Sequence, residues 1–331
     1  ALRLALLGLG IGEGYEVITT PMTFIATIEA IVQAGARPVF ADIDAKTGNL
    51  SPQAVLQYLD ARRDGTPRAI MPVHLYGLPA AMPDLLKLGR EHGIKIVEDA
   101  CQAHGARIQD GGKWAMAGTM SAAGCFSFYP GKNLGAWGEG GAVATEDERL
   151  ADTIATLRDH GRTSHYEHDA YGYNARLDTI QAAVLSAKLG RLAVWNARRR
   201  EIAALYRELL YDVEVELPHE PEGLESCYHL FVIRSPWRDE IRRALLDAGI
   251  QCGIHYPVPL HLQPAARALG YSAGDFPASE KFARMVLSLP MHPHLSDDDV
   301  ALVAATVRTA VERMAPANAA PHQEEIHLTS K

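Results

Sequence analysis

Apolar residues recur along this chain in two alternating rhythms. Short runs that alternate in twos, or are apolar throughout, read as strands: Gly14–Thr20 as a turn into a strand, then Pro38–Ile43, Arg68–Val73 and Lys95–Asp99. Between them, apolar positions three and four apart predict helices over Thr23–Gln33, stopped by Gly35, and over Pro83–His92, ended by Gly93. A further helix runs from Ser51 to Leu59, with Ser51 as N-cap and Pro52 at the first helical position. Strands alternating with helices at this spacing imply βαβ units. The expected fold class is therefore α/β, a mostly parallel sheet with helices on both faces.

The second half reads differently. A strand beginning at Gly124 breaks at Pro130-Gly131, and Lys132 follows the break. Gly141–Thr145 predicts a strand, Glu146–His160 a helix, and Asp178–Leu210 a long helix with a break at Gly190. Arg162–Asn174, rich in His, Tyr and Gly, reads as a long loop of the kind that carries function or is disordered. Then come a strand at Tyr228–Arg234, a helix at Arg238–Ala248, a short strand and turn at Gly253–Pro257, and helices at Ala278–Leu287 and Ser296–Ala315. This gives a large domain over 1–195, a smaller α+β C-terminal domain over 196–315, and a polar, aperiodic tail over 316–331 that is expected to be disordered.

Composition narrows the function classes. The chain has 331 residues, 47% of them hydrophobic, enough for a large core. A net charge of -8 argues against a general nucleic-acid or membrane-surface binder, so the run Trp195–Arg200 reads as a solvated helix face. Cys101, Cys125, Cys227 and Cys252 are far apart and form no CxxC pair; neither a disulfide framework nor a metal site is expected, and the cytoplasm is the natural compartment. No apolar run is long enough for a transmembrane helix. The first ten residues lack a basic leader and cleavage site, and read as the last turns of a helix ending at Gly8 to Gly10.

Two strand ends carry the candidate chemistry. In an open parallel sheet, ligands sit beyond the carboxyl ends of the strands, which puts Asp99, Gln102 and His104 on the same edge as the Lys132 turn. A buried carboxylate can pair with a protonated ring nitrogen, and a buried lysine can lose its charge and act as a nucleophile. Those are two parts of a pyridoxal phosphate site. Taken singly, each has a plainer reading: Lys132 as an exposed loop lysine, Asp99 as a helix N-cap, Gln102 and His104 as structural hydrogen-bonding groups. The glycines at 8, 10, 12 and 14 follow a helix and have the wrong spacing for a dinucleotide loop. Ser121 and Ser127 lack a Gly-x-Ser-x-Gly frame, against a serine hydrolase.

Several longer stretches carry a resemblance. Pro21–Thr27 (PMTFIAT), Pro72–Gly77 (PVHLYG), Val97–His104 (VEDACQAH), Phe126–Asn133 (FSFYPGKN), Gly172–Asp178 (GYNARLD) and Gly253–Pro257 (GIHYP), in that order, closely resemble the DegT/DnrJ/EryC1/StrS family. These are pyridoxal phosphate-dependent aminotransferases of nucleotide-linked keto-sugars, with the fold type I (aspartate aminotransferase-like) architecture. The resemblance runs from the first residue to about Ala315.

The resemblance implies a role for each matching residue. Lys132 is the Schiff-base lysine of a ping-pong reaction and shuttles protons between the two halves. Asp99 pairs with the pyridine nitrogen, Phe24 stacks on the ring, and Gln102 packs on the opposite face near the ring hydroxyl. Ser127 binds the phosphate, as does Asn174 donated by the other subunit of a homodimer. Arg176 matches either an amino-donor carboxylate site or an interface ion pair, and His255 and Tyr256 face the sugar. The amino donor implied is glutamate, and the stretches Gly253–Pro257 and His165–His168 look like those of members acting at carbon 3. Family members carry a further N-terminal segment with a Gly-Thr phosphate motif, so part of the phosphate cradle is expected outside this sequence. The alternatives are a sugar dehydratase of the same family, whose branch has histidine in place of the lysine, and an inactive or purely binding protein.

Overall fold

Alternation of side chains along the central strands decides which helices each face meets. In the computed structural model, which describes residues 1–62 and 66–314, α1 (Leu2–Gly8) is followed by β1 (Glu16–Thr19), α2 (Ala26–Gln33), β2 (Arg37–Phe40), α3 (Pro52–Ala61), β3 (Pro67–Ile70), α4 (Met82–His92) and β4 (Lys95–Asp99). A hairpin, β5 (Arg107–Asp110) and β6 (Lys113–Met116), precedes β7 (Ala123–Ser127), β8 (Gly141–Ala144), α5 (Glu148–Leu157), α6 (Thr179–Leu189) and α7 (Leu192–Leu209). The chain continues through β9 (Leu224–Glu225), β10 (Phe231–Arg234), α8 (Arg238–Asp247), α9 (Pro277–Met285), β11 (Val286–Leu289) and α10 (Asp297–Met314).

The central sheet has six strands in the order β2-β1-β3-β4-β7-β8. Its first five strands are mutually parallel, and β8 closes the edge antiparallel to β7. On one face, Val17, Ala69, Met71, Val97, Ala123 and Cys125 pack against α1, α2 and α5. On the other, Ile18, Val39, Ile70 and Ile96 pack against α3 and α4. Successive residues such as Ala69 and Ile70 thus serve opposite layers, as a pleated strand requires. Gly124 in β7 lies so close to the Gly118 backbone that an added Cβ would sit 1.8 Å from its carbonyl oxygen. A second apolar core joins α7, α8, α10, β10 and β11, around Tyr206, Phe231, Leu287 and Val307.

Most predicted boundaries hold to within a few residues, including Lys95–Asp99 and the break at Gly190. Ser51 caps α3 by accepting the Ala54 N–H at 3.3 Å, and Gly93 ends α4 in the left-handed region. Four expectations change. The helix expected over Ala278–Leu287 stops at Met285, because Val286–Leu289 is fully buried and pairs antiparallel with β10. Gly253–Pro257 forms no strand; Gly253 makes a single bridge to Ser288. The β5–β6 hairpin, turned by Gly111 and Gly112 at positive φ, was not anticipated. The run Trp195–Arg200 is not simply a solvated face: Asn196 and Arg199 are buried. The tail over 316–331 lies outside the described residues. Among the described residues no helix is long and apolar enough to cross a membrane, no His, Cys, Asp and Glu group could hold a metal, and the four cysteines are free.

Candidate active site

Asp99 ends β4 and Ser127 ends β7, the neighbouring strand, with Asp99 opposite Cys125 in the register. Five residues beyond Ser127, a tight turn carries Lys132. Its backbone N–H donates to the Tyr129 carbonyl at 2.9 Å, and Ala136 N–H donates back to Phe128 at 2.8 Å. Gly135 permits this closure, since a Cβ there would meet the Pro130 oxygen at 2.3 Å. The next residue, Asn133, is buried and anchors the turn. Its Nδ2 donates to Asn196 Oδ1 and to the Cys227 carbonyl, both at 2.9 Å. Its Oδ1 is therefore the acceptor for His229 Nδ1 at 3.3 Å. Asn196 in turn donates to the His104 carbonyl at 2.7 Å.

The Lys132 amine has no hydrogen bond or ion pair among the described residues. Burial pushes its pKa below the usual lysine value, against the opposing pull of Cys101, Asp99 and Cys227. Three imidazoles lie within its electrostatic reach, and each is held toward its neutral form first by burial and then by the lysine. His104, in contact with Phe126 and Phe128, is lowered to about 4. Neither of its ring nitrogens has a hydrogen-bond partner among the described residues. His229 and His255 are also lowered.

Asp99 is buried, and its Oδ2 accepts the Thr27 hydroxyl at 2.9 Å. Gln102, also buried, has both ends of its amide assigned: Oε1 accepts the Tyr76 N–H at 2.6 Å, and Nε2 donates to Tyr256 Oη at 3.3 Å. The Tyr76 hydroxyl donates to the His255 carbonyl, closing a ring that ties Gln102 to His255-Tyr256. Burial pushes the Tyr256 phenol up to about 12, so it remains a neutral hydroxyl. Its ring lies 5.9 Å from that of Phe24, which is 54% exposed and presents a free aromatic face. His255 Nδ1 is 2.7 Å from Ser288 Oγ.

Of the predicted site residues, Lys132, Asp99, Gln102, Phe24, His255 and Tyr256 thus converge through shared contacts or electrostatic coupling. Ser127 stands at the base of the Lys132 turn, its hydroxyl accepting the Tyr129 N–H at 3.2 Å. Asn174 and Arg176 are exposed and lie elsewhere: Asn174 bridges to Asp159 beyond the end of α5, and Arg176 pairs with Asp159 at 3.2 Å. Thr27, Tyr76, Asn133, Asn196 and His229 were not singled out. Thr27, Tyr76 and Asn133 fall inside the recognised motifs, a signal that was there to use. Asn196, inside the arginine-rich run, gave none.

The donor set fits pyridoxal phosphate. A desolvated, unpaired amine suits its aldehyde, a buried carboxylate suits its ring nitrogen, and an exposed aromatic suits its ring face.

Comparison with known proteins agrees. The chain is 48% identical over 311 residues to the erythromycin biosynthesis sensory transduction protein EryC1 of Saccharopolyspora erythraea, covering 93% of this chain and 82% of that one. It is 45% identical over 315 residues to the dTDP-3-amino-3,4,6-trideoxy-alpha-D-glucose transaminase of Streptomyces venezuelae, covering 95% and 81%. Among solved structures, S. venezuelae DesV in complex with a ketimine intermediate superposes with a TM-score of 0.90 at 44% identity, covering 94% of this chain and 82% of that one. NtdA of Bacillus subtilis with bound cofactor PMP superposes with a TM-score of 0.83 at 29% identity, covering 94% and 71%. The family model matches residues 1–308, and the chain belongs to the DegT/DnrJ/EryC1/StrS aminotransferase family.

Proposed function

We propose that this protein is a pyridoxal phosphate-dependent aminotransferase that moves an amino group from glutamate to carbon 3 of a nucleotide-linked keto-sugar. The observation that carries the reading is the desolvated, unpaired Lys132 amine, on the turn beyond β7, within electrostatic reach of buried Asp99 at the end of the neighbouring strand β4. The naming of the S. venezuelae relative as a 3-amino-sugar transaminase supports the substrate class, and the PMP-bound neighbour supports the cofactor.

When bound, pyridoxal phosphate supplies an electron sink for the carbon that loses its proton. Lys132 Nζ, held toward the uncharged form, would take that proton from the amino-bearing carbon of the donor and pass it on to the cofactor, and would make the reverse transfer, from the cofactor to the sugar carbon, in the second half of the cycle. Asp99 holds a proton on the ring nitrogen, and Phe24 covers one ring face. Gln102, with its amide fixed by Tyr76 and Tyr256, leaves one Nε2 hydrogen for the ring hydroxyl. Ser127 binds the phosphate, and His255 and Tyr256 line the sugar side. Asn174 and Arg176 serve the site of a second copy in a homodimer: Asn174 at the phosphate, Arg176 at the donor carboxylate or the interface. The chain divides into a cofactor-binding domain over 1–195 and a smaller domain over 196–315, and works in the cytoplasm.

The test is to load the purified protein with pyridoxal phosphate, follow its visible absorbance on adding glutamate, and assay dTDP- and UDP-linked keto-sugars for amine product. The wild type should turn yellow, change spectrum with glutamate and aminate a 3-keto-sugar, while Lys132→Ala does none of these. A wild type that takes up no cofactor, or that deoxygenates the sugar without making an amine, would sink the proposal.

A further inference from the structure

The Asp99 carboxylate is gripped from two sides. Oδ1 accepts the Cys101 N–H at 3.2 Å, a local bond of the kind that often ends a strand. Oδ2 accepts the Thr27 hydroxyl at 2.9 Å, from a residue 72 positions earlier in the chain. Thr27 Oγ1 lies 3.0 Å from Thr23 Oγ1. All three residues are buried, with Asp99 4%, Thr27 1% and Thr23 3% exposed. A carboxylate can only accept, so the single Thr27 proton is committed to Asp99. Thr23 must then be the donor to Thr27, and the protons run in one direction, from Thr23 through Thr27 to Asp99.

We propose that Thr27, backed by Thr23, is a positioning residue that fixes the Asp99 carboxylate for a protonated ring nitrogen. The inference rests on the reading of this site as one for pyridoxal phosphate. Among the described residues, Asp99 forms no ion pair with a lysine, arginine or histidine. Hydroxyl and amide donors stabilise a buried carboxylate without cancelling its charge, which stays available to a cationic ligand. Consecutive hydrogen bonds in one direction polarise and strengthen one another. Thr23 and Thr27 also flank Phe24 at the start of α2. One short segment therefore sets the ring's edge contact, through Asp99, and its face contact, through Phe24.

The test measures pyridoxal phosphate affinity and the NMR shift of its isotopically labelled ring nitrogen in the holoenzyme. Thr27→Val keeps the branched shape and removes the hydroxyl. Its dissociation constant should rise about tenfold or more, the loss expected for one charge-assisted hydrogen bond. The ring-nitrogen resonance should move toward the unprotonated value. Thr27→Ser should restore most of both, which a purely structural role would not require. A Thr27→Val protein with wild-type affinity and ring-nitrogen shift overturns the assignment. If Thr27→Val does not fold, Thr23→Val carries the test: the resonance should move the same way by less, and an unchanged resonance overturns the relay. A wild type that binds no pyridoxal phosphate defeats the proposed function and this assignment with it. A wild type that binds while the variants are unchanged defeats the assignment alone.

Discussion

His104 puts a titratable ring where a charge is hard to keep. Packed on Phe126 and Phe128, it is held at about 4, against 6.5 for a free imidazole. Between those values the unfolded chain binds a proton that the folded chain refuses. The stability from neutral His104 is thus complete above about pH 6.5 and is lost as the pH falls toward 4, a loss on the order of 3 kcal/mol. Thermal unfolding of wild type and His104→Gln across this range should show a steeper acid loss in the wild type; parallel curves would refute it. Residue positions were legible in the sequence where the backbone alone places the residue. Asp99 ends a strand and Lys132 follows a turn, so their shared edge follows from the α/β pattern. The partner of Thr27 lies 72 positions away and that of Asn133 lies 63 positions away. No local pattern encodes such pairs, and only the family motifs hinted that Thr27 and Asn133 mattered.

At the scale of elements, α7 is the clearest case of a pattern that misleads. Arg198, Arg199 and Arg200 look alike in sequence, yet α7 turns Arg199 inward. Its Nη1 donates to the carbonyls of Tyr228 at 3.0 Å, His229 at 3.3 Å and Met291 at 2.9 Å, and burial lowers its pKa to about 10. It pins the segment leading into β10 to the one leaving β11. Arg199→Ala should destabilise the protein by about 2–4 kcal/mol, because buried carbonyls lose their donor. Urea unfolding checks this, and a midpoint within error of wild type would refute it. The α9–β11 junction misled for a different reason. Apolar spacing continues past Met285, and only pairing with β10 reveals Val286–Leu289 as a strand. Helix starts and stops were easier to read, because Ser51 and Gly93 act through their own turns.

At the scale of the whole molecule, the protein exposes several large apolar side chains. Trp137 is 79% and Ile180 71% exposed, and Tyr171 stands fully in solvent. Asn174 and Arg176 share this exposed region of the chain, apart from the Lys132 cluster. In the proposed homodimer a second copy would cover these residues. Sedimentation should therefore give a dimer. Mixing Lys132→Ala with Asn174→Ala, each inactive alone, should recover partial activity once subunits exchange, since one site of the mixed dimer would be intact. No recovery after confirmed exchange would mean that the two residues do not serve a shared site.

The adjacency of β4 and β7 has one more consequence. The acid ends β4 and the amine sits on the turn five residues beyond β7, two neighbouring strands whose spacing, about 4.8 Å, is a constant of hydrogen-bonded backbone. The sheet thus fixes the Asp99 backbone, while the amine is placed by the Tyr129–Ala136 turn and its Asn133 anchor. The segments over 161–174 and 253–257 form no part of that sheet. On the proposed reading, residues 253–257 could change to suit a new sugar while Asp99 stays in register, so that specificity and chemistry could be inherited separately within one fold.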